Sequence, residues 1–327
     1  MAFNKESNQR RFLFALDLDG TLLANSATGD IHPKTESAIK RAVKEGHIVS
    51  IITGRPWRST MPVYEKLGLN AIVGNYNGAH IHNPADPFFI PTISYLDLNE
   101  VLYILGDEKV KKEISNYAIE GPDWVQLMHR DPNLEKVFGF NQATKFRECI
   151  NLEKLPLKPT GIVFDAKPTT NVLELLTYLK RRYGDLGEFS SWSKGEGLSP
   201  VFDITSIGVD KGKVISLIMR YYNINIDDTV VIGDSYNDLS MYEIGNVGVA
   251  PANAEPLIKQ LSTVVMKESN KEGAVGHFID AFLDDPEKFI QMGRDKKKEE
   301  QKNVKTVKAD SFHTKEEIEA SAKAFED

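Results

Sequence analysis

Two aspartates separated by one residue, Asp17 and Asp19, stand at the end of an apolar run and are followed at once by Gly20 and Thr21. In a strand, residues i and i+2 point to the same side, so both carboxylates can converge where the strand ends. Carboxylates that close repel each other, and a divalent cation between them relieves the repulsion. The pair predicts a nucleophile and an acid/base residue acting beside Mg²⁺. A lone Asp-x-Asp also occurs as a solvated turn, so the prediction depends on the rest of the chain.

Two later segments offer groups that bind phosphate. Thr53 and Gly54 follow another apolar run and can present a hydroxyl and a backbone N–H to a phosphoryl oxygen. Lys211 and Lys213 open an apolar-periodic stretch typical of a helix. A cation at a helix start is mildly unfavourable for the helix dipole, so an anionic partner is expected there.

A further apolar run ends in an oxygen-rich cluster made by Asp234, Asn237 and Asp238. Oxygen ligands without a cysteine or histidine suit a hard cation such as Mg²⁺. In an open parallel sheet, ligands bind outside the carboxyl ends of the strands. Polar groups at several such ends therefore predict a single site.

The alternation of apolar runs and helical patterns predicts an α/β fold. Strands are expected over residues 11–18, 47–53 and 70–74, with helices over 33–45 and 62–67. This βαβαβ order requires a parallel sheet.

The alternation of strands and helices changes after residue 83. Helical patterns near 99–118 and 171–183 occur together with predicted short strands near 136–140 and 161–165. We interpret this part as an inserted α+β cap domain. The predicted organisation has three parts. A discontinuous core domain covers residues 11–83 and 196–284, a cap covers 84–195, and a charged C-terminal tail covers 285–327.

The motifs resemble, in order and type, those of the haloacid dehalogenase superfamily of phosphohydrolases, and more narrowly the Cof-type sugar-phosphate phosphatases. The matching segments are Asp17–Thr21, Thr53–Arg55, Lys211-Gly212 and Gly233–Asp238, and Asn75–Ala79 is similar to the family's Asn-Gly-Ala stretch. The resemblance implies a Rossmann-like parallel-sheet core with an inserted cap of the C2 type. One loop departs from the family pattern, since residues 249–254 read Val-Ala-Pro-Ala-Asn-Ala.

The residues and the resemblance together suggest Mg²⁺-dependent hydrolysis of a phosphomonoester in two steps. Asp17 would attack phosphorus and form an aspartyl-phosphate. Asp19 would protonate the leaving alcohol and then deprotonate the attacking water. The resemblance implies that the Asp17 side chain, the Asp19 backbone carbonyl and Asp234 hold Mg²⁺, with Asp238 supporting these ligands.

A second set of residues is expected around the phosphoryl oxygens: Leu18, Thr53, Gly54, Lys211 and Asn237. Of the two lysines, the resemblance favours Lys211, which precedes a glycine. Asn77, on a core loop that faces the cap, is a candidate substrate contact.

Composition agrees with an enzyme that acts on a small molecule. The chain has 327 residues, a net charge of −7 and a sequence pI of about 5.6, which argue against nucleic acid or an acidic membrane as the main partner. The one cysteine, Cys149, excludes an internal disulfide and fits a reducing compartment. No early apolar stretch suits a signal peptide and no run approaches a membrane span, so a cytoplasmic location is expected.

Two other functions fit the same residues. A phosphomutase would return the phosphoryl group to its substrate, and a non-catalytic sugar-phosphate sensor would bind without turnover. A broken motif would favour the sensor, whereas Asp17, Asp19, Thr53, Lys211 and Asp234 are all present.

Overall fold

The structure of the chain is a computed structural model that describes residues 10–132, 135, 138–143, 145–148, 158–193 and 199–311. Cys149 lies outside the described residues. Within them, no helix is both long and apolar enough to cross a membrane.

The strands in chain order are β1 Leu13–Leu16, β2 Leu23–Asn25, β3 Asp30–Ile31, β4 Ile48–Ile51, β5 Val73–Asn75, β6 His80–His82, β7 Thr92–Ile93, β8 Ile114–Glu120, β9 Trp124–Leu127, β10 Lys145–Glu148, β11 Gly161–Ala166, β12 Glu188–Ser193, β13 Pro200–Thr205, β14 Thr229–Ile232, β15 Val247–Ala250 and β16 Val264–Val265. The helices are α1 Pro33–Lys44, α2 Trp57–Leu67, α3 Leu98–Leu105, α4 Glu108–Glu113, α5 Val172–Tyr183, α6 Lys211–Tyr222, α7 Leu239–Ile244, α8 Pro256–Leu261, α9 Ala274–Asp284 and α10 Pro286–Ser311.

A parallel sheet with strand order β16-β15-β14-β1-β4 forms the centre of the core. Both faces of β1 are buried: Phe14 and Leu16 belong to one apolar cluster, and Leu13 and Ala15 to the other. Helices α1 and α9 cover the first face, and α6 covers the second. Burial on both faces explains why β1 reads as a continuous apolar run. The predicted α/β fold with a parallel sheet is confirmed.

The cap is built on a six-stranded mixed sheet with strand order β10-β9-β8-β11-β13-β12. Strand β13 pairs with β12 over residues 200–205 and with β11 over residues 201–205, although residues from 196 onward are predicted to belong to the core. Strand β7, which follows the predicted cap start at 84, pairs instead with β6. The pairing of β13 puts residues 200–205 in the cap sheet, and the pairing of β7 puts residues 92–93 beside β6. We therefore propose that both junctions lie later in the chain than residues 84 and 195.

Two local predictions in the cap are wrong. Residues 114–118, expected to be helical, belong to β8, because their backbone pairs with β11 and the helical pattern is interrupted at Gly106 and Asp107. The expected strand near 136–140 is also absent, since Phe138 is helical and Phe140–Gln142 is a 3₁₀ turn in the part that is described. Tertiary pairing overrides weak local preference at such positions.

The segment that the sequence treats as a charged tail begins as part of the core. Helix α10 starts at Pro286, and its Phe289 and Ile290 are buried in the cluster that contains Phe282. Phe289 packs on Phe282 with ring centroids 5.9 Å apart. The first turns of α10 therefore close one edge of the core.

Candidate active site

The carboxyl ends of three adjacent strands bring the first polar groups together. Leu16 on β1 is in register with Ile51 on β4 and with Ile232 on β14. The residues that follow these strands therefore meet at one edge of the sheet: Asp17 and Asp19 after β1, Thr53 after β4, and Asp234 after β14. This shared edge is the structural basis of the candidate site.

The centre of the site is a buried lysine between two carboxylates. The Lys211 ammonium is fully buried and lies 2.6 Å from Asp17 Oδ1 and 2.6 Å from Asp238 Oδ1. Asp238 Oδ2 accepts backbone N–H bonds from Asp234 at 2.9 Å and from Ser235 at 3.0 Å. Asp238 thus orients both Lys211 and the loop that carries Asp234.

Hydrogen bonds fix Asp234 beside the Asp17–Thr21 segment. Its Oδ1 accepts a hydrogen bond from the Thr21 hydroxyl at 2.8 Å, and its Oδ2 one from the Ser235 hydroxyl at 3.2 Å. Gly20 has φ +74°, and a Cβ there would lie 2.3 Å from Asp234 Oδ2. Only glycine allows both this backbone conformation and the close approach of the carboxylate.

The electrostatics of the cluster favour a cation. Burial raises the pKa of Asp17 to about 7 and, together with the charges of Asp238 and Asp19, outweighs the opposing attraction of Lys211. Burial, with the nearby charges of Asp17 and Asp238, also raises the pKa of Asp234 well above its usual range. Burial lowers the pKa of Lys211, but Asp17 and Asp238 more than reverse that effect, so the lysine stays charged. One ammonium does not balance the buried carboxylates.

The donor set fits a hard divalent ion. Carboxylate oxygens of Asp17, Asp234 and Asp238 all lie within 4.8 Å of one another and are buried. Both oxygens of Asp238 already accept hydrogen bonds, whereas Asp234, among the described residues, accepts them from the hydroxyls of Thr21 and Ser235. Such oxygen-only clusters suit Mg²⁺. Asp17 and Asp234 are therefore the candidate ligands, and Asp238 is a candidate supporting group.

The Asp19 carboxylate has a different partner, which the sequence patterns did not predict. Arg55 donates to Asp19 Oδ2 from Nε at 2.7 Å and to Asp19 Oδ1 from an Nη at 2.5 Å. Both side chains are buried. The only available signal was the position of Arg55 at the end of the Thr-Gly-Arg segment.

The residues predicted around the phosphoryl group lie at the same edge. Leu18 follows Asp17 directly and Gly54 follows Thr53, whose hydroxyl oxygen accepts the Arg55 N–H at 3.2 Å. Asn237 donates from Nδ2 to Asn77 Oδ1 at 3.2 Å. Its Oδ1 is buried and has no hydrogen-bond partner among the described residues.

Asn77, the predicted substrate contact, joins the core to the cap. Its Nδ2 donates to Asp203 Oδ2 at 3.0 Å and to Ser190 Oγ at 3.1 Å, and both partners lie on cap strands. A cavity of about 220 Å³ opens beside this contact and is lined by Asn77, Ser190, Lys211 and Asn237, among others. The cavity lies between the buried lysine and the cap.

A family model of the haloacid dehalogenase-like hydrolases matches residues 14–279 of this chain. A Metamycoplasma hominis protein named "Putative phosphatase in upp 3'region" is 88% identical over 280 residues, which cover 86% of this chain and 99% of that protein. The Bacillus subtilis protein YitU, named as a 5-amino-6-(5-phospho-D-ribitylamino)uracil phosphatase, is 30% identical over 83% of this chain and 97% of its own length.

Solved structures share the fold. A haloacid dehalogenase-like hydrolase from Bacteroides thetaiotaomicron superposes with a TM-score of 0.67 at 20% identity, covering 84% of this chain and 100% of the other. BT4131, described as a subclass IIB sugar phosphatase, gives a TM-score of 0.66 at 20% identity over 83% of this chain and 98% of its own.

Proposed function

Since this chain belongs to the haloacid dehalogenase-like hydrolases, we propose that its phosphatase activity is Mg²⁺-dependent, is directed at a sugar phosphate and proceeds through an aspartyl-phosphate. The family and its relatives make the chain a phosphatase of small phosphorylated substrates. The observation that carries the proposal is the buried cluster in which Lys211 bridges Asp17 and Asp238 beside Asp234.

In the first step, a carboxylate oxygen of Asp17 attacks phosphorus while the bond from phosphorus to the leaving alcohol breaks. Asp19 gives its proton to the departing oxygen. The Lys211 ammonium and the donors of Thr53 and Asn237 face the phosphoryl oxygens, whose charge is spread in the transition state. Lys211 is already held between Asp17 and Asp238, and Asn237 is already held against Asn77, so little reorganisation is needed.

In the second step, Asp19 takes a proton from water, and the resulting hydroxide attacks the phosphorus of the aspartyl-phosphate. The bond from Asp17 to phosphorus breaks, which releases phosphate and restores the carboxylate. The Asp17 side chain, the Asp19 backbone carbonyl and Asp234 would hold Mg²⁺. The ion would neutralise charge on the phosphoryl oxygens and keep Asp17 ionised despite its raised pKa.

The test is phosphate release across a panel of phosphorylated metabolites. The panel includes sugar phosphates and the substrates for which YitU and the Escherichia coli protein YbhA, a pyridoxal phosphate phosphatase, are named. We expect release from a sugar phosphate by the natural chain, and none by Asp17→Asn. Asp30→Asn, which changes an exposed carboxylate, is the matched control and should retain full activity.

Two results would contradict the proposal. Turnover by Asp17→Asn comparable to that of Asp30→Asn would show that Asp17 is not the nucleophile. Conversion of the sugar phosphate into an isomer, without free phosphate, would indicate a mutase on the same core.

A further inference from the structure

The guanidinium of Arg55 holds both oxygens of the Asp19 carboxylate. Arg55 is 4% exposed and Asp19 is 7% exposed. The two N–H···O contacts, at 2.7 and 2.5 Å, form a bidentate pair. Such a pair fixes the plane of a carboxylate as well as its position, which a single hydrogen bond does not.

Arg55 is itself held at both ends. Its backbone N–H donates to the Thr53 hydroxyl oxygen at 3.2 Å, and its carbonyl accepts from Asn75 Nδ2 at 2.8 Å. At the far end, an Nη donates to the Ser26 carbonyl at 2.6 Å. The end of β4 and the loop between β2 and β3 therefore anchor the guanidinium, and the guanidinium in turn fixes the orientation of the Asp19 carboxylate.

We infer that Arg55 is a positioning residue for the reaction, acting through Asp19. The inference rests on the proposed function, in which Asp19 exchanges protons with the leaving group and with water. An acid/base group must lie within hydrogen-bond reach of the atom it serves, about 2.6–3.2 Å. A displacement of about 1 Å can cost about 10²-fold in rate. Without Arg55, the Asp19 side chain is free to rotate out of reach.

The competing role for Arg55 is direct contact with the substrate. Arg55 also lines a cavity of about 260 Å³ together with Lys66 and Gln142. If a leaving group occupied this cavity, Arg55 would act independently of Asp19. The two roles predict different coupling between the residues.

The experiment is a double-mutant cycle with Arg55→Ala, Asp19→Asn and the double variant, assayed for kcat and KM on one sugar phosphate and one aryl phosphate. We expect Arg55→Ala to lower kcat on the sugar phosphate by about 10²-fold, with KM changed less than about threefold. The loss on the aryl phosphate should be smaller, because a good leaving group needs no proton in the first step. In the Asp19→Asn background, removing Arg55 should cost nothing further. Lys66→Ala, on the same cavity, should behave as the natural chain.

The inference would be overturned if the kcat losses of Arg55→Ala and Asp19→Asn multiplied in the double variant. It would also be overturned if Arg55→Ala and Lys66→Ala both raised KM. Either result would assign Arg55 a direct contact with the substrate. Arg55→Ala leaves the buried Asp19 charge unpaired, so Arg55→Lys is run through the same cycle as the variant that keeps a positive charge. It should lose part of the sugar-phosphate kcat, and again only when Asp19 is present. Normal turnover by Asp19→Asn alone would refute the proposed acid/base role instead, a different failure from multiplicative losses.

Discussion

Replacing Lys211 by methionine should destabilise the protein far more than the same change two residues away. Lys211 is fully buried, and its ammonium lies 2.6 Å from Asp17 Oδ1 and 2.6 Å from Asp238 Oδ1. Methionine fills a similar volume but leaves both carboxylates without their cation. Removing one partner of a buried ion pair typically costs about 3–5 kcal/mol.

The cost should depend on pH. The pKa of Asp17 is already raised to about 7, and loss of Lys211 raises it further. Folded Asp17 can then take up a proton that the unfolded chain, with an ordinary aspartate, does not bind. The free energy of unfolding of Lys211→Met therefore keeps falling as pH rises above 7, up to the new pKa of Asp17, whereas in the natural chain this fall is largely over by then. The difference in free energy of unfolding between the two proteins should grow by up to about 1.4 kcal/mol per pH unit. We expect a loss near 3 kcal/mol at pH 7 and a larger one at pH 8.

The assay is thermal unfolding in chelator at pH 6, 7 and 8. A loss of 3 kcal/mol corresponds to a fall in Tm of roughly 4–6 °C for a chain of 327 residues. Lys213→Met is the matched control, since this side chain is 62% exposed on the same helix. A Tm for Lys211→Met equal to that of Lys213→Met at pH 8 would refute the buried bridge.

Three further outcomes are expected. Chelator should abolish phosphate release and Mg²⁺ should restore it, whereas Ca²⁺, which takes more ligands at longer distances, should restore little; full activity in chelator would reject the metal site. Asp203→Asn should lower kcat/KM for a sugar phosphate several-fold more than for an aryl phosphate, because it weakens the contact of the cap with Asn77; equal losses on both would place the effect in the core. Truncation before Pro286 should lower the free energy of unfolding by about 3–6 kcal/mol, because the burial of Phe289 and Ile290 against the core is lost, whereas truncation after Lys298 should leave urea unfolding nearly unchanged; equal midpoints for the two would contradict the packing of α10.

The core fold and the cluster at its edge could be predicted because their signals are local. The apolar run at Phe14–Leu16 is continuous because both faces of β1 are buried, and the polar residues follow it immediately. Asp17 and Asp234 come from distant segments, yet each is found by the same rule. Strand ends of a parallel sheet share one edge, so local patterns suffice to expect one site.

Contacts between distant elements could not be predicted in this way. The pairing of Arg55 with Asp19 depends on how the 23–31 hairpin folds back, since the Ser26 carbonyl helps to hold the guanidinium. Strand β13 belongs to the cap sheet through pairing with β11 and β12, which its own composition does not encode. The same holds for Asn77, whose partners on the cap are more than 100 positions away.

The most direct test is chemical trapping of the intermediate on Asp17. The protein is quenched during turnover of a sugar phosphate, reduced with borohydride, and the peptide that contains residue 17 is analysed by mass spectrometry. An aspartyl-phosphate would be reduced to homoserine at residue 17, and the signal should vanish in Asp17→Asn. Phosphate release by the natural chain with residue 17 unmodified, or with homoserine at another aspartate, would contradict Asp17 as the nucleophile.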